Sequence, residues 1–465
     1  MGAASSSQEG RVKTLVSPPG AITRQANQEN NKLRTEDLAA HQWYRFVLSF
    51  PPHLVRDYIE RFNLSSHHCV LDPFCGTGTT LVECKKLGIA SVGVESNPMA
   101  CFASRVKVNW NVDPDGLMRH ARKIADLTLE RFEADGIDDE EPLPLFHTGR
   151  RIATTNLMTL LEEAQKLLLK DSMSPLPLHK TLVLLGTLKE QEDERYSEHE
   201  RLALAKAIVF QISNLHFGPE VGIGPAKPDA PVVAPWLNGM REIVEGLRAL
   251  RVKAHIRSVV HQFDSRRLSA TLEPASVDAV ITSPPYPNEK DYTRTTRLES
   301  VLLGFIRHKE DLRLVKQGLV RSNTRSVYRD DQDDLLVADH TEIQRIAHAI
   351  EKRRIELGKT SGFERQYARV TKLYFGGMAR HLSDLRSILR PGARLAYVVG
   401  DQASYLRVMI RTGQLLASIA RSLGYEVMGI DLFRTRLATA TKEQLREEVV
   451  LLRWPDEKNH RRASS

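Results

Sequence analysis

The sequence predicts an α/β fold: a doubly wound, mostly parallel sheet of about seven strands, interrupted by two large helical insertions. Three observations carry that expectation. The apolar Cys69-Val70-Leu71 runs into a glycine loop, Asp72-Pro73-Phe74-Cys75-Gly76-Thr77-Gly78-Thr79-Thr80, then a helical pattern (Leu81, Val82, Cys84, Leu87) and a second strand, Ala90 to Val94, closed by Glu95. A further apolar strand, Val277 to Ile281, runs into Thr282-Ser283-Pro284-Pro285-Tyr286. Between and after these units the strand–helix alternation gives way to long helical patterns. Open α/β sheets gather ligands at the carboxyl ends of their strands, and both strings end a strand.

In chain order, residues 1–38 are polar and rich in Ser, Gln and Asn, and are expected to form a flexible arm. Residues 39–110 hold the first part of the sheet domain. There Phe50-Pro51-Pro52 precedes Leu54, Val55, Tyr58, Ile59 and Phe62, which recur at helical spacing before the strand–loop–helix–strand unit. Residues 111–250 read as a helical insertion and a candidate target-recognition region. Leu157, Leu160, Leu161, Ala164, Leu167 and Leu168 form one helical face, a second run spans Arg201 to Leu215, and Phe217 to Pro225 is a glycine/proline loop. The sheet returns over 251–297, with a strand from Ser258 closed by Asp264 and the strand before Thr282. A charged, mostly helical second insertion spans 298–372. In 373–455 a helix near Met378 to Leu389 ends at Arg390-Pro391-Gly392, and strands follow near Arg394–Val399, Val427–Ile430 and Val449–Leu452. Residues 456–465 form a basic tail.

The 465 residues are 41% hydrophobic, enough for a sizeable core. Lys+Arg exceed Asp+Glu by 66 to 58, a net charge of +8 that favours a polyanionic partner. Cys69, Cys75, Cys84 and Cys101 fit neither a zinc spacing nor a disulfide framework, and read as reduced core side chains of an intracellular protein. No apolar run is long enough to span a bilayer, and no signal-peptide core follows Met1. Met1-Gly2-Ala3-Ala4-Ser5-Ser6 formally fits an N-myristoylation pattern, but nothing else points to a membrane. The expectation is a protein without membrane or metal.

The glycine loop suits a ligand that is charged at one end and nucleoside-like at the other. Gly76 and Gly78 let backbone N–H groups come close, and the helix beginning near Thr79-Thr80 aims its N-terminal dipole at an anionic group. Asp72 can accept from an ammonium, and Glu95 can take both ribose hydroxyls. The loop lacks the lysine of a phosphate-binding P-loop, and its spacing is not that of a dinucleotide site. The second string suits a different task. An exocyclic amine on an aromatic base is a poor nucleophile, because its lone pair is delocalised. Two acceptors that grip both N–H groups favour a tetrahedral nitrogen and localise that pair. The Ser283 hydroxyl and the Pro284 carbonyl can be those acceptors, the Pro284-Pro285 pair fixes the segment in advance, and Tyr286 offers a face for an extruded base.

Together the two strings resemble the cofactor and catalytic loops of the DNA amino-methyltransferases that use S-adenosylmethionine (SAM). Phe74-x-Gly76-x-Gly78 is similar to the family's SAM motif, and Phe50-Pro51-Pro52 to the element preceding it. The resemblance implies a Rossmann-like SAM-methyltransferase sheet, SAM as cofactor, and direct transfer without metal or covalent enzyme–base intermediate. It implies Asp72, Phe74, Cys75, Gly76, Gly78, Thr80, Glu95 and Asp264 as cofactor residues, the last matching an acidic position that meets the adenine amine. Ser283, Pro284, Pro285 and Tyr286 become the catalytic residues. Ser before Pro-Pro is typical of cytosine-N4 members, whereas Asp or Asn is usual in adenine-N6 members. Many cytosine-N4 enzymes place this loop before the SAM loop, however, and here it follows. Cytosine N4 is therefore favoured, with adenine N6, an RNA base, or a non-catalytic SAM-binding subunit as alternatives. Double-stranded DNA is the implied partner, a cognate restriction endonuclease a further one, and the cytoplasm of a bacterial or archaeal cell the location. Arg294, Arg297, Arg321 and Arg325, mixed with Asn323 and Tyr328, are candidate nucleic-acid contacts.

Overall fold

The computed structural model describes residues 33–45, 49–140, 157–217, 220–288, 290–437 and 444–456. The expected arm and tail, and the Met1–Ser6 pattern, lie almost wholly outside the described residues, as does part of the Phe217–Pro225 loop. The sheet has seven strands: β1 (Cys69–Asp72), β2 (Ala90–Val94), β3 (Ser258–His261), β4 (Val277–Thr282), β5 (Leu389–Gly400), β6 (Glu426–Leu437) and β7 (Gln444–Arg453). Their spatial order is β3-β2-β1-β4-β5-β7-β6. The first five run parallel, and β7 enters antiparallel between β5 and β6. The order reverses at β1/β4, so the loops leaving those strands diverge around a crevice.

Both faces of the sheet are covered, which is why its strands read as almost continuous apolar runs. Val70, Ala279, Ile281, Val398 and Val449 pack with Leu54, Val55 and Tyr58 of the helix Pro52–Arg61. Their neighbours Leu71, Val280, Leu395, Tyr397 and Val450 face the other way, against helices Tyr367–Leu385 and Thr412–Ser422. The first insertion has no separate core. Its helices Pro114–Ala134, Pro175–Glu190, Ser197–Ala207 and Val233–Leu250 share one core with Leu81, Val82 and the helix Pro98–Val108. Trp43, Trp110 and Trp236 are fully buried there.

Three boundaries differ from the sequence expectation. The helix expected near Met378 begins at Tyr367, because Val370, Leu373 and Tyr374 continue its apolar face through a charged stretch. Arg390-Pro391-Gly392 does not end that helix but lies inside β5, whose pairing skips between Val277 and Ala279; Gly392, at φ +83°, supplies the backbone such a bulge needs. The run Arg201–Leu215 is α-helical to Ala207 and continues as a π-helical turn over Ile208–Ile212, then enters a short strand at Leu215 that pairs with Val221–Ile223.

Candidate active site

The cofactor loop is held mostly by its own backbone. Cys75 N–H donates to the Val94 carbonyl at 3.1 Å, tying the loop to β2, and Gly78 N–H closes the turn on the Cys75 carbonyl at 2.7 Å. Gly76 and Gly78 both have positive φ, +51° and +83°. At Gly78 a side chain is excluded twice over, since a Cβ would stand 2.5 Å from Ser104 Oγ. At Gly76 a Cβ would meet nothing within 4 Å, so this backbone opens onto free space. Glu95 spans the loop from β2: one carboxylate oxygen accepts from Gly76 N–H at 2.9 Å, the other from Asn97 N–H at 2.8 Å. Burial raises its pKa to about 7 despite those bonds. Below the loop, the buried Lys107 donates to the Thr77 carbonyl at 2.8 Å, and burial lowers its pKa to about 7.

Four expected cofactor residues do not line the cavity. Asp72 is 0% exposed, does not line the cavity, and accepts from Thr282 Oγ1 at 2.6 Å and Phe74 N–H at 3.2 Å. Burial raises its pKa to about 6. Thr80 is equally buried and donates to the Ile281 carbonyl at 3.1 Å. Both side chains therefore brace the end of β1 against the end of β4, fixing the two functional loops relative to each other. Asp264 is gripped by the guanidinium of Arg266, at 2.7 Å from Nη2, and Arg266 also pairs with Asp333 at 2.9 Å. It is Asp264's neighbour, Ser265, that lines the cavity. Gly78 acts through close packing rather than as cavity lining.

The second loop begins where β4 ends. Ser283 Oγ donates to the Val398 carbonyl on β5 at 3.2 Å. Tyr286 N–H donates to the Tyr292 hydroxyl at 3.2 Å, and the Tyr286 ring lies against Gly400, where a Cβ would stand 2.9 Å from Cε2. Burial pushes the Tyr286 hydroxyl far above its ordinary range. One cavity of ≈ 240 Å³ joins the two loops. Phe74, Cys75, Gly76 and Glu95 line one side, and Ser283 through Tyr286 the other. Phe74 stands edge-on to the buried His381, ring centroids 4.9 Å apart, and Phe50 and Pro51 close the cavity from the segment before the first motif.

Sequence reasoning missed part of the lining. Phe433, Arg434 and Arg436 come from β6 and Glu447 from β7. Arg434 stands opposite Glu447 in the ladder, and its Nε pairs with the Glu447 carboxylate. The strand patterning near Val427 and Val449 was readable, but the hairpin's extension over the cavity follows only from its register. Gly318-Leu319-Val320, in the second insertion, also lines the cavity.

The candidate nucleic-acid arginines separate into different kinds. Arg321 is 3% exposed; it forks onto Asp331 at 2.7 Å and donates to the Lys316 carbonyl at 2.8 Å. Arg297 is partly buried and holds Thr293 through Oγ1 at 2.8 Å and its carbonyl at 3.2 Å. Both are internal braces, not contacts held out to a polyanion. Arg294 is partly buried, its Nε without a hydrogen-bond partner. Arg325 is exposed, its guanidinium 5.7 Å from the centre of the Phe363 ring.

The strand order, the antiparallel seventh strand, the glycine loop after β1 and the carboxylate closing β2 define a class: a Rossmann-like methyltransferase whose methyl donor is SAM. The residues present fit that donor, since the Gly76 backbone and the Glu95 carboxylate both face the open cavity. Comparison with known proteins narrows the class. Residues 20–105 match the family model described as DNA methylase of the N6/N4 type. The chain is 26% identical over 449 residues to type II methyltransferase M.BsoBI of Geobacillus stearothermophilus, covering 89% of this chain and 84% of the relative. It is 24% identical over 446 residues to M.AvaI of Nostoc, covering 89% and 86%. Among solved structures it is similar to the rRNA methyltransferase aviRa of Streptomyces viridochromogenes, at TM-score 0.32 and 12% identity, covering 91% of this chain and 94% of that one. The family model and the two type II relatives support the DNA amino-methyltransferase family as the family of this chain. Among the described residues no helix is long and apolar enough to cross a membrane, and no cluster of three metal-ligating side chains occurs.

Proposed function

We propose that this protein methylates an exocyclic amine of a base in double-stranded DNA, cytosine N4 being the favoured position. The observation that carries the reading is the single cavity joining the Gly76 and Ser283 loops. SAM, when bound, supplies an electrophilic methyl group on a sulfonium. Its carriers on this chain are the Phe74–Gly76 backbone, with Glu95 for the ribose hydroxyls.

The chain's own residues then prepare the amine. With its proton directed to the Val398 carbonyl, the Ser283 hydroxyl keeps lone pairs to offer a base in the cavity. It accepts one amine N–H and the Pro284 carbonyl accepts the other, which draws the nitrogen toward tetrahedral geometry and frees its lone pair for in-line attack. With SAM bound, the methyl would pass to that lone pair, and the amine proton, held until then on the Ser283 hydroxyl or the Pro284 carbonyl, would leave to solvent water. Tyr286, backed by Gly400, stacks on the extruded ring. Ser283 supports cytosine, and the type II relatives support DNA as substrate and a restriction endonuclease as cellular partner of a cytoplasmic enzyme. The 111–250 insertion is the proposed target-reading region and 298–372 a second DNA-facing one, Arg325 remaining its exposed candidate contact.

Incubation with methyl-labelled SAM and mixed-sequence duplex DNA, followed by nucleoside analysis, tests this. Labelled N4-methylcytosine is the expected product. Labelled N6-methyladenine would move the assignment to adenine, and transfer to RNA but not DNA would remove DNA as substrate.

A further inference from the structure

The far wall of the cavity contains a cation that neither loop accounts for. Arg434 and Phe433 on β6, and Glu447 on β7, line the same cavity as Ser283 and Tyr286. Their arrangement follows from the ladder. Gly400, against which the Tyr286 ring packs, pairs with Glu447, and Glu447 pairs in turn with Arg434. Adjacent strands stand about 4.8 Å apart, so the row Tyr286–Gly400–Glu447–Arg434 crosses the top of the sheet in roughly two strand spacings. The bond to Glu447 runs through Nε of Arg434, so the two terminal nitrogens of the guanidinium are not spent on it. Glu447 is 8% exposed, which makes the pair a built feature of the wall rather than a surface ion pair. The guanidinium also lies 5.6 Å from the Phe433 ring centre. The Tyr286 hydroxyl is raised first by burial and then by Glu447, and is drawn back down by a hydrogen bond with Ser283 and, to a smaller extent, by Arg434, so this pair lies within electrostatic reach of the catalytic loop.

A planar fork of N–H donors suits two neighbouring acceptors. Beside its N4 amine, cytosine presents two acceptors on the pairing edge, N3 and O2. Adenine presents one, N1, beside its N6 amine. We propose that Arg434, held by Glu447, reads the pairing edge of the extruded base through N3 and O2, and so selects cytosine. The inference rests on the base-methylation reading above and adds a residue to it, independent of the Ser283 argument.

The test uses the full-length protein and duplex oligonucleotides carrying either cytosine or 3-deazacytosine at the methylated position. The deaza base keeps N4 and O2 but replaces the N3 acceptor with C–H. For the wild type, kcat/KM falls by about 10- to 100-fold on the deaza duplex, the cost of one base-edge contact. Arg434→Ala loses a similar factor on cytosine and loses nothing further on 3-deazacytosine, because the two changes remove the same interaction. Arg434→Lys keeps the charge but not the fork and does not rescue cytosine activity. SAM affinity of both variants stays at the wild-type value, whereas the melting temperature of Arg434→Ala falls because Glu447 loses its partner, so turnover is compared well below that temperature.

Equal sensitivity of wild type and Arg434→Ala to the deaza substitution overturns the proposal. So does full rescue by Arg434→Lys, which would assign the residue to a phosphate. A wild type that labels no base in any DNA fails earlier, at the reaction itself, and removes the proposal with it.

Discussion

The cofactor wall of the cavity and the basic second insertion were both expected to bind ligands, and they are built on opposite principles. At the cofactor wall the working groups are backbone: Gly76 N–H, the turn closed on the Cys75 carbonyl, and a carboxylate that ties them to β2. In the insertion the conspicuous groups are long cations, and Arg321, like Arg297 just before it, is consumed by nearby carboxylate, carbonyl and hydroxyl groups. A glycine loop works through its backbone, which its own sequence shapes, whereas an arginine's work depends on what the fold brings to it. Clustered arginines in a charged loop are thus as apt to hold that loop together as to hold a polyanion.

The contrast can be broken at Arg321. If it is a brace, Arg321→Ala strands the carboxylate of Asp331, partly buried, without its partner and destabilises the protein by about 3 kcal/mol or more, seen as a lower melting temperature. An unchanged melting temperature with weakened DNA binding would return Arg321 to the DNA face. The cofactor wall gives the next largest effect. Glu95 titrates near pH 7 in the free protein, because burial disfavours its charge. Ribose hydroxyls donate to the ionised carboxylate, so ligand binding pulls the proton off. SAM affinity should therefore rise through pH 7 and level off above it, by about tenfold between pH 6 and 8. Calorimetric titration across that range checks this, and Glu95→Gln should flatten the profile. The smallest effect belongs to Arg325: its replacement by Ala should leave stability alone and lower the salt slope of DNA binding by about one.

The two loops and the sheet were legible in the sequence because each motif is contiguous and its chemistry needs particular residue types at fixed offsets. What escaped depended on distance in the chain. Asp72 and Thr80 read as ligand contacts, but Thr282 and Ile281, some two hundred residues on, turn them into braces between β1 and β4. Asp264 carries the acidic identity its motif position suggests, yet Arg266 two residues later occupies it. Arg434 and Glu447 reveal themselves only once β6 and β7 are paired in register.

The account stands on Ser283 accepting from the amine while the Gly76 wall holds the donor independently. A single-turnover measurement with methyl-labelled SAM and substrate DNA, made on Ser283→Ala with SAM affinity measured in parallel, tests that most directly. The expected result is transfer slowed by about 10²- to 10³-fold, with SAM affinity within about twofold of wild type. Transfer at the wild-type rate would contradict it.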